Sequence, residues 1–349
     1  MYMKKLIGYL VVLLVFVSCE QKPDSLKIGV IAPLTGYAAL PGQMCIKGVD
    51  MAKSEISDNV EFIIEDCQSS PKTAITLYRK LYAKGVRHFI VCGGQFAMAV
   101  TPLTKDKDVV IFATAAANID LLSATNRCFR VFPHPNNVIN KLYDFASDSL
   151  GLKNASIVYL QNDAYSLYAK LYESKIVEGG TVLKFKEGFS ANQSDFKNII
   201  SKLAKTNSEY VFLASMGDSS ISFTKQLSEN PQTKSMHIIS DMNFSLPQAA
   251  IALKHINTPV YYVDADIDDD FIFRYKNKYN ELPNAYSYYS YIIPNIIVES
   301  IAKSGNSNID NQIQYIRETE FKISSNNYID FDECGEVIMP LTINKLAYE

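Results

Sequence analysis

The sequence predicts an α/β protein of two lobes, each built on a parallel sheet with helices packed on its faces. Three observations lead there. Short apolar, β-branched runs of strand length recur along the chain. Amphipathic stretches with apolar residues three or four apart separate them. The alternation fills two successive halves of similar size, with no long linker between them. A length of 349 residues accommodates two domains. Two such lobes facing each other leave a cleft, a usual seat for a small ligand.

The first unit sets the pattern. Ile28-Gly29-Val30-Ile31-Ala32 has the length and branching of a buried parallel strand. The chain breaks at Pro33, turns through Thr35-Gly36 past Tyr37, and resumes after Pro41-Gly42 as a helix burying Cys45/Ile46, Val49, Ala52 and Ile56. Ligands of open α/β sheets bind outside the carboxyl ends of the strands, where the Tyr37 loop sits. Residues 60–64 form the next strand. Ser70-Pro71 then opens a helix, Ser as N-cap and Pro in the first turn, with Ala74, Leu77/Tyr78 and Leu81 on its apolar face. Gly85 ends that helix, residues 86–92 are a strand, and Gly93-Gly94-Gln95-Phe96-Ala97 reads as a loop. Residues 109–113 make a fourth strand, followed by a loop of Thr114-Ala115-Ala116-Ala117-Asn118. Residues 128–132 lead out of the first lobe, and Pro133-His134-Pro135 marks a crossing.

The second half repeats the scheme. Val138, Leu142, Phe145/Ala146 and Leu150 give a helix closed by Gly151. Strands follow at residues 155–160, 181–185, 210–214, 237–240 and 259–263, with helices at 167–178, 195–206, 219–229 and 246–254. The acidic run from Asp264 to Asp270 is not a calcium loop. Asp269 and Tyr275 stand where an EF-hand needs Gly and Glu, so the run reads as a solvated cluster at a helix start.

Composition narrows the function. A net charge of −3 gives no basic footprint for nucleic acid. There is no GxGxxG after a strand, no GxxxxGK[ST], no HExxH and no GxSxG, and the four histidines (His88, His134, His237 and His255) form no constellation, so nothing points to an enzyme or a cofactor. Without CxxC or His-rich spacing, no metal site is expected.

The amino terminus is a segment apart. Lys4 and Lys5 precede an apolar run from Leu6 to Val17, too short to span a bilayer, which takes about 20 residues. A positive start, a short apolar core and a small residue before the break describe a secretory signal. Ser18 followed by Cys19 resembles a bacterial lipoprotein signal, which implies cleavage before Cys19 and lipid on its thiol and amine; Phe16 departs from the usual Leu. An ordinary cleaved signal or a short anchor helix is the alternative. A polar tether precedes the first strand. Five cysteines then remain (Cys45, Cys67, Cys92, Cys128 and Cys334), an odd number that leaves at least one unpaired.

The residues also carry a family likeness. V-I-A-P-L-T-G, then Ala39, Gly42-Gln43, Gly48 and Ala52, resembles the opening of the type I periplasmic binding proteins, specifically the Leu/Ile/Val and amide receptors of ABC transporters. The likeness continues through Asp66, Gly85-Val86, Gly93, Asn162-Asp163-Ala164-Tyr165 (where the family has Asp-x-x-Tyr-Gly, with Ser166 here in place of the Gly), Asp195-Phe196, the segment from Phe271 to Tyr289, and Phe331-Asp332 with Gly335 in a closing hairpin. It implies two Rossmann-like lobes joined by three crossovers at a hinge. By this reading residues 1–18 are the signal, 19–25 the tether, 26–134 plus 265–320 the first lobe, and 135–264 plus 321–349 the second. It implies ligand-binding positions at Tyr37, Gln95, Phe96, Ala97, Ala115, Ala116, Ala117, Tyr165 and Asp241, with Tyr165 closing on the ligand. Asp241 stands where amino acid receptors place an acidic group for the ligand ammonium; an aspartate at a turn or helix start, a common role, is the alternative. Relatives also carry a disulfide between two neighbouring loops that fall at Cys67 and Cys92; separate buried thiols are the alternative.

One departure matters. Receptors of this family offer Ser and Thr hydroxyls to an amino acid from loops that here read Ala97-Met98-Ala99 and Ala117. A methyl leaves the charge of a zwitterion underpaired at a cost of about 1–3 kcal/mol per lost partner, so a free α-amino acid is not the expected ligand. The expected function is an extracytoplasmic solute-binding lipoprotein that delivers a small molecule (amino acid, amide or other solute) to an ABC permease, held at the membrane by its lipid. The rival is an envelope lipoprotein using the same fold to regulate a partner protein, for which a small or occluded cleft would speak.

Overall fold

The computed structural model describes residues 25–56, 59–305, 308–324 and 327–346. The signal peptide and the Cys19 lipidation site lie outside the described residues. Strand β1 (Leu26–Ala32) leads into helix α1 (Ala39–Lys53), β2 (Val60–Asp66), α2 (Pro71–Ala83), β3 (His88–Cys92), α3 (Gly94–Val100), β4 (Val110–Thr114) and β5 (Cys128–Arg130). These strands form a five-stranded parallel sheet in the order β2-β1-β3-β4-β5. α2 starts as its sequence dictates: the Ser70 hydroxyl accepts the Thr73 N–H at 3.2 Å, with Pro71 in the first turn.

The chain then passes to a second sheet through α4 (Pro135–Asp144), which His134 caps with its Nδ1. β6 (Asn154–Leu160), α5 (Asp163–Glu178), β7 (Val182–Phe189), α6 (Lys197–Leu203), β8 (Tyr210–Ala214), α7 (Gly217–Glu229), β9 (His237–Ser240), α8 (Pro247–Ala252) and β10 (Val260–Ala265) follow. The order is β14-β10-β9-β8-β6-β7, in which β14 (Leu341–Lys345) alone runs antiparallel. Between β10 and β14 the chain makes α9 (Asp269–Tyr279), α10 (Ala285–Ser304), α11 (Ile309–Glu318) and the short strands β11 (Phe321–Lys322), β12 (Tyr328–Phe331) and β13 (Val337–Ile338).

α10 rejoins the first sheet by packing against α1. The contact is close because Gly48 has no side chain: a Cβ there would sit 2.0 Å from the Ser287 carbonyl oxygen. A capping box between Asn284 and Ser287 opens α10, and Gly305 ends it at φ 83°.

Two expectations change here. The closing hairpin belongs with the first sheet. Phe331 packs edge-on to Phe129 with ring centroids 5.1 Å apart, and Arg130 bridges to Glu336, so the third crossing falls after Ile338 rather than near residue 320. The acidic run is only partly solvated. Asp268 caps α9, but Asp264 is 4% exposed, its Oδ1 accepting the N–H groups of Ala265 and Ala285. Burial pushes its carboxyl up to about 7.

Candidate functional site

The loops at the carboxyl ends of the two sheets enclose a cavity of about 440 Å³, within the usual size of ligand pockets. One wall comes from the first sheet. It comprises the Tyr37 loop after β1, the start of α3 at Gly94-Gln95, and Ala115, Ala117 and Asn118 after β4. Gln95 donates through Nε2 to the Tyr37 hydroxyl, and Tyr37 stands 69% exposed at the rim. The Gly93 and Gly94 amides donate to Thr114 and Ala115 carbonyls at 2.9 and 3.1 Å, so these N–H groups tie the two loops together. Gly94 must be glycine for that approach, since a Cβ would lie 2.0 Å from the Asn118 side-chain oxygen.

Arg130 holds this wall from behind. Its guanidinium, 0% exposed, donates to the Ala116 carbonyl at 3.1 Å and the Asn118 carbonyl at 2.5 Å. Glu336 Oε2 lies 3.0 Å from its Nε, close enough to pair the charges though not aligned as a hydrogen bond. Ala115 is left at φ 53°, a left-handed conformation uncommon outside glycine.

The other wall comes from the second sheet. The Asn162 side chain caps α5 by accepting the Tyr165 N–H at 2.9 Å, which turns Tyr165 toward the cavity. After β9, Asp241 caps a 3₁₀ turn: its Oδ1 accepts Asn243 N at 3.0 Å and Asn243 Nδ2 at 2.7 Å. The same Nδ2 donates to the Tyr165 hydroxyl at 2.7 Å, and Asn243 Oδ1 accepts the Tyr286 hydroxyl at 3.1 Å. Asn243 thus joins the second wall to α10. Asp241 is 3% exposed, and burial pushes its carboxyl up to about 7. Burial likewise raises the hydroxyls of Tyr165, Tyr168 and Tyr286, so all three stay protonated. Phe132 and Tyr286 stack at 5.7 Å across the back of the cavity.

A family model described as periplasmic binding protein matches residues 25–345. The chain belongs to the periplasmic binding protein family. Among its relatives, a leucine-, isoleucine-, valine-, threonine-, and alanine-binding protein of Pseudomonas aeruginosa is 24% identical over 207 residues, covering 56% of this chain and 55% of that one. This chain therefore spans about half the length of that relative. A Leu/Ile/Val-binding protein homolog of Brucella abortus is 23% identical over 335 residues, 90% of this chain and 88% of that one. Among solved structures, a leucine binding protein of Thermotoga maritima aligns with TM-score 0.78 at 19% identity, covering 91% of this chain and 95% of that one. A Rhodopseudomonas palustris solute binding protein in complex with 3,4-dihydroxybenzoic acid aligns with TM-score 0.79 at 18% identity, covering 93% of each chain. These structures establish the type I fold of two parallel-sheet lobes, and the relatives are binding proteins rather than enzymes.

The binding protein brings Tyr37, Gln95, Phe96, Ala115, Ala117, Tyr165 and Asp241 to the cavity, but not Ala97 or Ala116. Both are 0% exposed in the core. The stretch read as a loop is the first turn of α3, and its helical twist carries Ala97 away from the ligand side.

Cys67 and Cys92 are free, buried thiols rather than a disulfide. Alternation along β3 sends Cys92 to the face covered by α1, in the same core as Cys45, while Cys67 lies in the core on the opposite face with Phe89 and Val91. Burial raises the Cys67 thiol to about 11.

Sequence reasoning missed Asn243, Tyr168, Phe132 and Arg130, and left the tyrosines that open α10 between cleft and core; Tyr286 lines the cavity. The pattern Asp-x-Asn at Asp241–Asn243, a side-chain turn signal, was the available pointer to Asn243. Among the described residues no cluster of His, Cys, Asp and Glu could hold a metal ion, and no helix is long and apolar enough to cross a membrane.

Proposed function

We propose that this protein is an extracytoplasmic solute receptor that captures a small molecule between two lobes and delivers it to an ABC permease. The observation that carries the reading is the cavity of about 440 Å³ between the strand-end loops of both sheets, with Tyr165 and Asp241 facing the Ala115–Ala117 loop. A ligand touching both walls stabilises the closed form through contacts that neither wall makes alone. The lobes in this reading are residues 26–134 with 265–338, and residues 135–264 with β14, hinged at three crossings. The relatives' names favour a binding role, and a lipid on Cys19 would keep the receptor at the membrane. A regulator that only borrows the fold calls for a small or occluded cleft, and the volume speaks for the receptor.

Thermal unfolding of the purified mature protein against a solute panel tests this. The panel holds branched-chain amino acids, amides, urea, nucleosides, aromatic acids and amines. Ligand at a hundred times its Kd adds about 2.7 kcal/mol, and the raised midpoint is expected for one chemical class and lost in Tyr165→Ala. A midpoint unmoved by the whole panel would put the regulator first.

A further inference from the structure

The charges around the cavity do not match a ligand with a carboxylate. Among the described residues that line it, the carboxylates are Asp163 at the start of α5 and Asp241, and no Lys, Arg or His lines it. Arg130, the nearest buried cation, is turned to the carbonyls behind the Ala116–Asn118 loop and to Glu336. A carboxylate in this cavity would be desolvated beside Asp241 with no cation to pair it, a combination that costs several kcal/mol.

Asp241 has an opening on the other side. Both bonds it accepts, from Asn243 N and Nδ2, go to Oδ1. Among the described residues none donates to Oδ2, and the side chain lines the cavity. A carboxylate oxygen that faces the cavity and is bonded by no protein donor is open to a donor from a ligand. Much of the remaining lining is aromatic or apolar (Phe132, Tyr165, Tyr168, Tyr286, Met216 and Ala117), with the neutral amides of Gln95, Asn118, Asn162 and Asn243 beside it.

We infer that the ligand is an organic ammonium on an apolar or aromatic body, lacking a carboxylate of its own, whose N–H donates to Asp241 Oδ2. Its body packs among Phe132, Tyr165, Tyr168 and Tyr286, whose ring faces favour a nearby cation. This rests on the receptor reading and sharpens it. Ala115 and Ala117 present methyls to the cavity, which cost an amine on an apolar body nothing.

The test uses two matched triads at pH 8, where Asp241 is largely ionised: phenethylamine, 3-phenylpropionate and phenylalanine, and isoamylamine, isovalerate and leucine. Calorimetric titration is expected to show binding by an amine from at least one triad, with its zwitterionic and anionic partners at least tenfold weaker. Asp241→Asn, which keeps the acceptor for Asn243, is expected to weaken the amine by at least about thirtyfold while the ligand-free protein unfolds at the same or a higher temperature. Comparable binding of a carboxylate or zwitterion overturns the proposal, as does amine binding unchanged in Asp241→Asn. Binding confined to a neutral solute of the wider panel overturns the proposal and leaves the receptor standing. No heat from the triads together with no midpoint shift from the wider panel overturns both.

Discussion

The two walls of the cleft are built by different means. The first-lobe wall presents the methyls of Ala115 and Ala117, backbone and the neutral side chains of Tyr37, Gln95 and Asn118, with the order of the Ala116–Asn118 loop supplied by Arg130 behind. The second-lobe wall presents polar side chains, Asp241, Asn243 and Tyr165, bonded to one another in the cavity itself. The difference assigns shape to one wall and chemical choice to the other. Changes that disturb the first wall should cost stability before selectivity, and changes in the second should do the reverse.

The largest effect is expected at Arg130. Arg130→Met leaves Glu336 half-buried without its partner and two carbonyls without a donor, so chemical denaturation should show a loss of about 3–5 kcal/mol. A loss below about 1 kcal/mol would mean the first wall is held by packing alone.

Asn243→Ala comes next. It removes the amide that joins Asp241, Tyr165 and Tyr286, for an expected loss of about 1–3 kcal/mol. Ligand affinity should fall by more than stability alone explains, and retained affinity would dissociate the second wall from chemical choice.

A pH effect separates charge burial from packing. Burial raises the carboxyls of Asp241 and Asp264 to about 7, from an unfolded value of 3.8. The folded state therefore binds these protons more tightly than the unfolded one. Stability from this source is full below the unfolded value and is lost as pH rises through about 7. Asp264→Asn keeps an acceptor for Ala265 and Ala285, so it should flatten the loss between pH 5 and pH 8 in paired denaturation curves. An unchanged slope would show that Asp264 is not the group responsible.

The smallest effect is expected for Ala117→Ser, within about 0.5 kcal/mol of wild type in stability because the position is only half-buried. If the methyl is what discriminates against carboxylates, the serine should narrow the gap between leucine and isoamylamine. An unchanged gap would move that discrimination wholly to the second wall.

Much of this molecule is legible residue by residue. The strand Ile28–Ala32, the Ser70-Pro71 start of α2, the Asn162 cap and the stop at Gly85 are local events set by side-chain spacing and backbone freedom. They place the strand ends, and therefore Tyr37, Tyr165 and Asp241, without any tertiary knowledge. Local signals are weaker where a short segment can go either way. Gly93–Ala97 reads as loop but Gly94–Val100 coils against α2, and residues 195–206 shorten to Lys197–Leu203, with the Phe196 N–H at the helix start taken by Gln226.

The sequence by itself determined two successive α/β units and the carboxyl-end loops that carry the site, because strand and helix periods are properties of near neighbours. Only the tertiary structure decided which face of β3 holds Cys92, which sheet receives the closing hairpin, and that Arg130, Asn243 and Tyr286 serve the cleft. Those outcomes depend on partners far along the chain. Arg130 meets Glu336, and Asn243 meets Tyr165 and Tyr286, only after the sheets and the crossings are in place.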